Sequence, residues 1–257
     1  MFRLLYWSLA AIASVAFTVL TFLPAAWLSS MLEMQTGGRL TLGDAQGTLW
    51  NGSAYIGAAP GGNNPVTPLL PGRFTWKISP TIFLGRVDVE LENASALSEP
   101  VRISGSWTQW QISHATLALP AERLAALGAP LNTIQPSGEM RLTWQLLQPA
   151  YENGYLKLIG IMHLTINDLA SRLSPVNPLG DYDLEMDWKG SDANVTLKTL
   201  RGKMLLDGSG NFRNGRLQFS GTAQAETGQE EKLANLLYLL GQRRNQGDKE
   251  IISLEFK

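Results

Sequence analysis

The chain has 257 residues, 21 Lys plus Arg against 22 Asp plus Glu, a formal charge of −1, 17% charged and 44% apolar residues, and no cysteine. That composition excludes a disulfide-stapled fold, a Cys-based zinc or iron–sulfur centre and a cysteine nucleophile. It also argues against nucleic-acid binding, which draws on clustered Lys and Arg, and it is too apolar for a disordered chain.

Leu4 to Leu23 carries no charge, no Gly and no Pro. Twenty residues at ~1.5 Å rise cover ~30 Å, the thickness of a bilayer's hydrocarbon core. Leu4, Leu5, Trp7, Leu9, Ile12, Val15, Phe17, Leu20 and Leu23 are the apolar residues of this expected membrane anchor. Arg3 and the amino terminus are the only early positive charges, and the next basic residue is Arg39. The positive-inside rule then puts the N-terminus in the cytoplasm and the bulk of the chain across the membrane. Two rival readings are a cleaved signal peptide and a buried helix. Signal peptides have shorter apolar cores and a small residue where this chain has Pro24. The expected organisation is a cytoplasmic tip and anchor over 1–30 and a β-rich domain over 31–257.

From Arg39 onward the dominant period is two. Phe74, Trp76 and Ile78 share one face, as do Val87, Val89 and Leu91. The same alternation recurs at Met140, Leu142, Trp144 and Leu146, at Leu184, Met186 and Trp188, and at Val195 and Leu197. Leu217 and Phe219, then Ile252, Leu254 and Phe256, complete it. Polar residues fill most alternate positions, which predicts an antiparallel sheet with one apolar and one wet face. Asn51-Gly52 and Asn214-Gly215 predict two-residue hairpin turns, and residues 57–72, rich in Gly, Pro and Asn, read as a mobile loop. The fold class is therefore mainly β: an elongated, twisted antiparallel sheet behind one transmembrane helix.

About three short helices interrupt this pattern. Pro120 to Leu127 is stopped by Gly128. Asp168 to Leu173 is capped by Asn167 and ended by Pro175. The third carries Leu233, Leu236, Leu237 and Leu240 at helical spacing. Thr227 and Glu230 predict a capping box for it. Gly241 ends it, ahead of Arg243 and Arg244 at the dipole's negative end. A faint strand–helix–strand repeat with an offset of about 44–45 residues matches Leu124-Ala125 to Leu169-Ala170 and Trp144 to Trp188. Trp76, Trp144 and Trp188 are the expected core tryptophans.

Motifs for chemistry are scarce. His114 and His163 are the only histidines, with no H-E-x-x-H spacing around them. There is no G-x-S-x-G elbow and no phosphate-binding glycine loop. The eight tryptophans read as core before they read as a carbohydrate platform. Asp181, Asp183, Glu185 and Asp187 stripe one strand face. At ~6.6–7 Å between alternate side chains they cannot wrap one ion, so this stripe reads as a solvated or salt-bridged face with Lys198 and Arg141 as neighbours, ahead of a partner-docking edge or a Ca²⁺ site. Neither metal nor cofactor is expected.

Residues 47–54, GTLWNGSA, follow the anchor. Trp76-Lys77-Ile78-Ser79-Pro80 and Leu84-Gly85-Arg86 come next, and residues 208–223, GSGNFRNGRLQFSGTA, precede Leu236-Leu237 and Gly241. In that order these segments resemble the type II secretion system protein N family. The resemblance marks Gly47, Leu49, Trp50, Gly52, Trp76, Pro80 and Gly85, then Gly210, Gly215, Phe219, Gly221, Leu237 and Gly241, as structural motif positions. It covers nearly the whole chain, with no motif at 92–105 or 145–160. It implies a single-pass inner-membrane subunit of the Gram-negative general secretory pathway, the machine that moves folded proteins out of the periplasm. The family is implied to be accessory and non-catalytic, with partners among the other secretion subunits. More distantly the motifs resemble AsmA-type β-rich envelope proteins, whose curved sheet presents an apolar groove. On that reading the chain is a lipid- or hydrophobe-binding module. A third class, an envelope hydrolase, has only its compartment and its tryptophans in favour.

Overall fold

The structure is a computed structural model that describes residues 2–38, 40–58, 67–127, 131–152, 154–213, 216–246 and 249–256. Two α-helices lead: α1 (Phe2–Thr21) and α2 (Ala26–Gln35). A first sheet then forms from β1 (Leu40–Gly47), β2 (Asn51–Ala58), β3 (Thr67–Pro68), β4 (Phe74–Ile78), β5 (Arg86–Glu92), β6 (Val101–Ser106) and β7 (Trp110–Ile112). The second comprises β8 (Ala115–Pro120), β9 (Pro136–Trp144), β10 (Gln148–Glu152), β11 (Tyr155–Ser171), β12 (Gly180–Gly190), β13 (Asp192–Gly202), β14 (Met204–Arg213), β15 (Arg216–Ala225), β16 (Gln242–Gln246) and β17 (Lys249–Phe256). Two 3-10 turns, Pro80–Leu84 and Ala121–Leu127, and two further helices, α3 (Leu131–Ile134) and α4 (Glu230–Leu240), sit between strands. The expected antiparallel, mainly β architecture is what forms.

Pairing follows chain order almost throughout. The first sheet runs β1-β2-β4-β5-β6-β7, with β3 against β2, and the second runs β16-β17-β15-β14-β13-β12-β11-β9-β8, with β10 against β11. The two sheets are stitched together where β7 gives way to β8. Ile112 and Leu147 exchange backbone hydrogen bonds of 2.8 and 3.1 Å, so β7 borders the β10 side of the second sheet. On the other side, Ala118 N–H donates to Ala96 O at 2.7 Å and Ser98 N–H to Thr116 O at 3.0 Å, so β8 borders the first sheet. The strand 110–120, broken at Ser113-His114, thus belongs to both.

Several expectations about local structure need correction. Asn51-Gly52 opens β2, and residues 48–50 make the turn. The segment 168–173 is no helix. It lies between β9 and β12, and a helix there would forfeit two ladders. Asp168 instead takes φ 50° and supplies one extra residue relative to both neighbours, a bulge. The second copy of the proposed repeat therefore lacks its helix, although Trp188 faces Gly160 at the repeat's own offset from the Ala115–Trp144 pair. Helix α4 forms where its leucines predict, but its N-cap is Gln229 and Glu230 Oε2 accepts from Gly228 N–H at 2.8 Å, so the capping box does not form. Arg243 and Arg244 lie in β16, opposite Ile252 and Ile251 of β17. The described ends of the 57–72 loop are ordered by β3 and by buried Leu70; its residues 59–66, Gly128, and the turn residues Asn214 and Gly215 lie outside the described residues. Arg213 pairs with Arg216, the register a two-residue turn requires.

Helix α2 crosses the expected boundary at residue 30. Ser29 Oγ donates to Leu42 O at 3.2 Å, and Leu28 packs with Ala25, Ala54 and Trp76. The largest core lies at the other end. Tyr182, Val195, Met204, Phe219, Ala223, Ile252 and Leu254 on the sheet meet Leu233, Leu236 and Leu237 of α4. Each leucine there removes apolar area worth about 1.5–3 kcal/mol from water.

Candidate functional site

The motif positions gather in two places. Near the end of α1, Gly47 adopts φ 83° to start the turn into β2. Leu49 N–H donates to Leu23 O at 2.7 Å, and Trp50 Nε1–H to Leu20 O at 2.7 Å, so the turn grips the helix's last residues. Gly52 lies beneath Trp76: a Cβ on it would sit 2.5 Å from Trp76 Cζ2. Trp76 is only 6% exposed and its Nε1–H donates to Leu49 O at 2.9 Å, which ties β4 back to the same turn. Pro80 starts the Pro80–Leu84 turn, Ser79 Oγ caps it through Thr81 N–H, and Gly85 closes it at φ 84°. Phe83 packs on Trp50 with ring centroids 5.3 Å apart.

The second cluster lies under α4. Phe219 stretches across a glycine strip, where a Cβ on Gly208 would come within 2.5 Å of its Cζ. Gly221 pairs with Gly208, and Gly210 with Phe219. Buried Leu237 seals this plate from above, and Gly241, extended at φ −177°, lets the chain pass tightly beside Ser253 into β16. No motif residue carries a reactive group.

Among the anchor residues, the side chains of Leu4, Leu5 and Leu9 lie outside the described residues. Trp7, Ile12, Val15, Phe17 and Leu20 are all exposed on α1, while Leu23 is half-buried. Among the described residues no helix is long and apolar enough to cross a membrane, so the span over 4–23 rests on the sequence.

The polar groups pair with one another. His114 Nε2 lies 3.1 Å from Glu99, and His163 Nδ1 lies 3.5 Å from Asp183. Along the acidic stripe, Asp187 pairs with Lys189 at 2.7 Å. Asp181 is held by Arg201 Nε and accepts Asp168 N–H at 2.7 Å. Lys198 does sit opposite Asp183 on β13, while Arg141 lies on β9 and pairs with Glu139. The Asp168 amide, then the Arg201 guanidinium, hold the Asp181 carboxyl below the ordinary carboxylate range, which its 8% side-chain exposure alone would oppose. Asp181 missed recognition as a structural site because its stripe reads as solvated; the bulge that aims the Asp168 amide at it has no sequence period. Beside it, burial and then the Asp181 charge push the Tyr182 phenol above its usual value, and its hydroxyl donates to Met204 O at 2.8 Å. No group of three or more potential metal ligands occurs among the described residues.

The apolar face of the second sheet continues past α4. Leu142, Trp144, Met162 and Leu164 are half-buried there, and Trp144 Nε1–H donates to Ser113 O at 2.8 Å. Trp188 is also half-buried and meets Phe212 edge-on at 5.4 Å. Of the three expected core tryptophans, only Trp76 is fully enclosed.

Two comparisons, with curated proteins and with solved structures, return no match. A model of the family described as type II secretion system (T2SS), protein N matches residues 18–251.

Proposed function

The chain belongs to the type II secretion system protein N family, and from that premise we propose that it is a non-catalytic accessory component in the export of folded proteins from the periplasm across the outer membrane. It is a single-pass inner-membrane protein with its N-terminus in the cytoplasm and its β sheets in the periplasm. The family match carries this reading. Helix α1 supports it, because its described side chains from Tyr6 to Leu20 are exposed on every face. A helix apolar all round that no other element covers belongs in lipid.

Its partners are other secretion subunits. Among the described residues strand β16 ends the second sheet beside β17 alone, and a strand at a sheet's edge accepts another chain through backbone hydrogen bonds. The test is cysteine crosslinking in cells from Gln242→Cys, together with a chromosomal deletion. Capture of a secretion subunit and reduced exoprotein export are expected. Intact export with no secretion component captured would remove the proposal.

A second reading has its own observation. The half-buried face at Leu142, Trp144, Met162 and Leu164 lies beyond the core that α4 covers, which suits a lipid or hydrophobe groove. Native mass spectrometry of the detergent-extracted chain should then retain a lipid. Consistently lipid-free protein would dismiss that reading.

A further inference from the structure

Around the last turn of α1 the structure exposes an apolar surface that the folded chain does not use. The Pro80–Leu84 turn leaves Phe83 56% and Leu84 86% exposed, and Trp107 is 59% exposed. Trp27, Met31 and Met34 of α2 are exposed too and line a cleft with Leu23 and Leu49. No charged residue occurs from Ile78 to Gly85. The polar side chains of the turn are occupied internally: Thr81 Oγ1 donates to Arg86 O at 3.1 Å, and Ser79 Oγ accepts from Thr81 N–H. The indole donors of Trp107 and Trp50 are occupied as well, by Ile82 O and by Leu20 O. What remains outward, beyond the Trp27 indole N–H, is ring and aliphatic surface.

We infer that this surface is a second membrane contact, a collar of Phe83, Leu84, Trp107, Trp27, Met31 and Met34 seated in the headgroup–acyl boundary beside α1. The inference rests on the anchored reading above. Its depth follows from connectivity. Trp50 grips α1 at Leu20, three residues before the apolar run ends at Leu23. Leu20 is the penultimate residue of α1, which sets the Trp50–Phe83 pair beside the end of the helix, at the headgroup–acyl boundary where interfacial apolar faces lie. Aromatic residues favour that level. Two contacts, one spanning and one lateral, fix the first sheet's orientation on the membrane, where a lone helix would let it pivot.

The natural absence of cysteine makes single spin labels unambiguous. Full-length protein carrying Val15→Cys, Leu84→Cys or Asn194→Cys is placed in phosphatidylethanolamine–phosphatidylglycerol nanodiscs with no other protein. Accessibility to oxygen and to a water-soluble nickel chelate is read by electron paramagnetic resonance. Labels at Val15 and Leu84 should be protected from the chelate at least about five-fold relative to the label at Asn194, an exposed position on β13. If Val15 is protected while Leu84 matches Asn194, the anchor stands and the collar inference falls, leaving the surface to a protein partner. If Val15 matches Asn194, the anchor reading and the collar fall together.

Discussion

The turn region at residues 47–85 and the plate under α4 solve one packing problem in the same way and end differently. In each, a large aromatic lies over strand glycines: Trp76 over Gly52, Phe219 over Gly208 and Gly221. The glycines remove side chains from the inner face so that one ring can cover two strands. Under α4, Leu233, Leu236 and Leu237 then close the stack. At the turn, α2 closes it only in part, with Leu28 inward and Trp27, Met31 and Met34 outward. The plate is a finished core. The turn region is finished on one side and apolar on the other, the asymmetry on which the inferred membrane contact rests.

Substitutions sharpen that contrast. The largest effect is expected from Trp76→Ala, which empties the core at the turn and orphans Leu49 O. A loss of ~3–5 kcal/mol would deplete the protein from membranes, measured by immunoblot and by thermal unfolding in detergent. Trp144→Ala, at a half-buried site, should cost clearly less; equal losses would erase the distinction drawn between the tryptophans. Next comes Gly208→Ala under the Phe219 ring, where the added methyl must displace the ring or the strand, at about 1–3 kcal/mol. Unchanged melting would show that the plate is looser than its geometry states.

Asp181→Asn removes the charge that Arg201 and the Asp168 amide hold, with an expected loss of about 1–3 kcal/mol at neutral pH. Because the folded carboxyl sits below its unfolded value of ~3.9, its stabilisation is complete above that value. It declines as pH falls through the folded pKa. The variant's stability should therefore fall less steeply than the parent's between about pH 5 and the acid limit, as read by thermal melts across that range. Parallel slopes would contradict this. The smallest change is Lys189→Ala on the wet face, where breaking the exposed pair with Asp187 should cost under ~1 kcal/mol.

Much of this architecture was legible in the chain. Strands whose inner residues are large, such as 74–78, 86–91 and 184–188, show their period openly. Strand β14 hid it, because Gly208 and Gly210 stand where apolar residues would alternate, their volume supplied by Phe219 from the next strand. The 168–173 segment misled for a related reason. Asn167, Asp168 and Pro175 look like helix boundaries, yet Asn and Asp tolerate the left-handed backbone that a bulge needs, and two neighbouring ladders decided the outcome. Helix α2 and the outward set at Phe83, Leu84 and Trp107 were not legible at all, since only tertiary placement shows which apolar side chains go unused.

Everything in this account turns on which side of the membrane the sheets occupy. A phosphatase that is active only outside the cytoplasm, fused after Lys257 of the full-length chain, reads that directly. Full phosphatase activity is expected in intact cells, with the fusion retained in the membrane fraction. An inactive fusion, made in equal amount and active only when a signal sequence replaces residues 1–30, would contradict it.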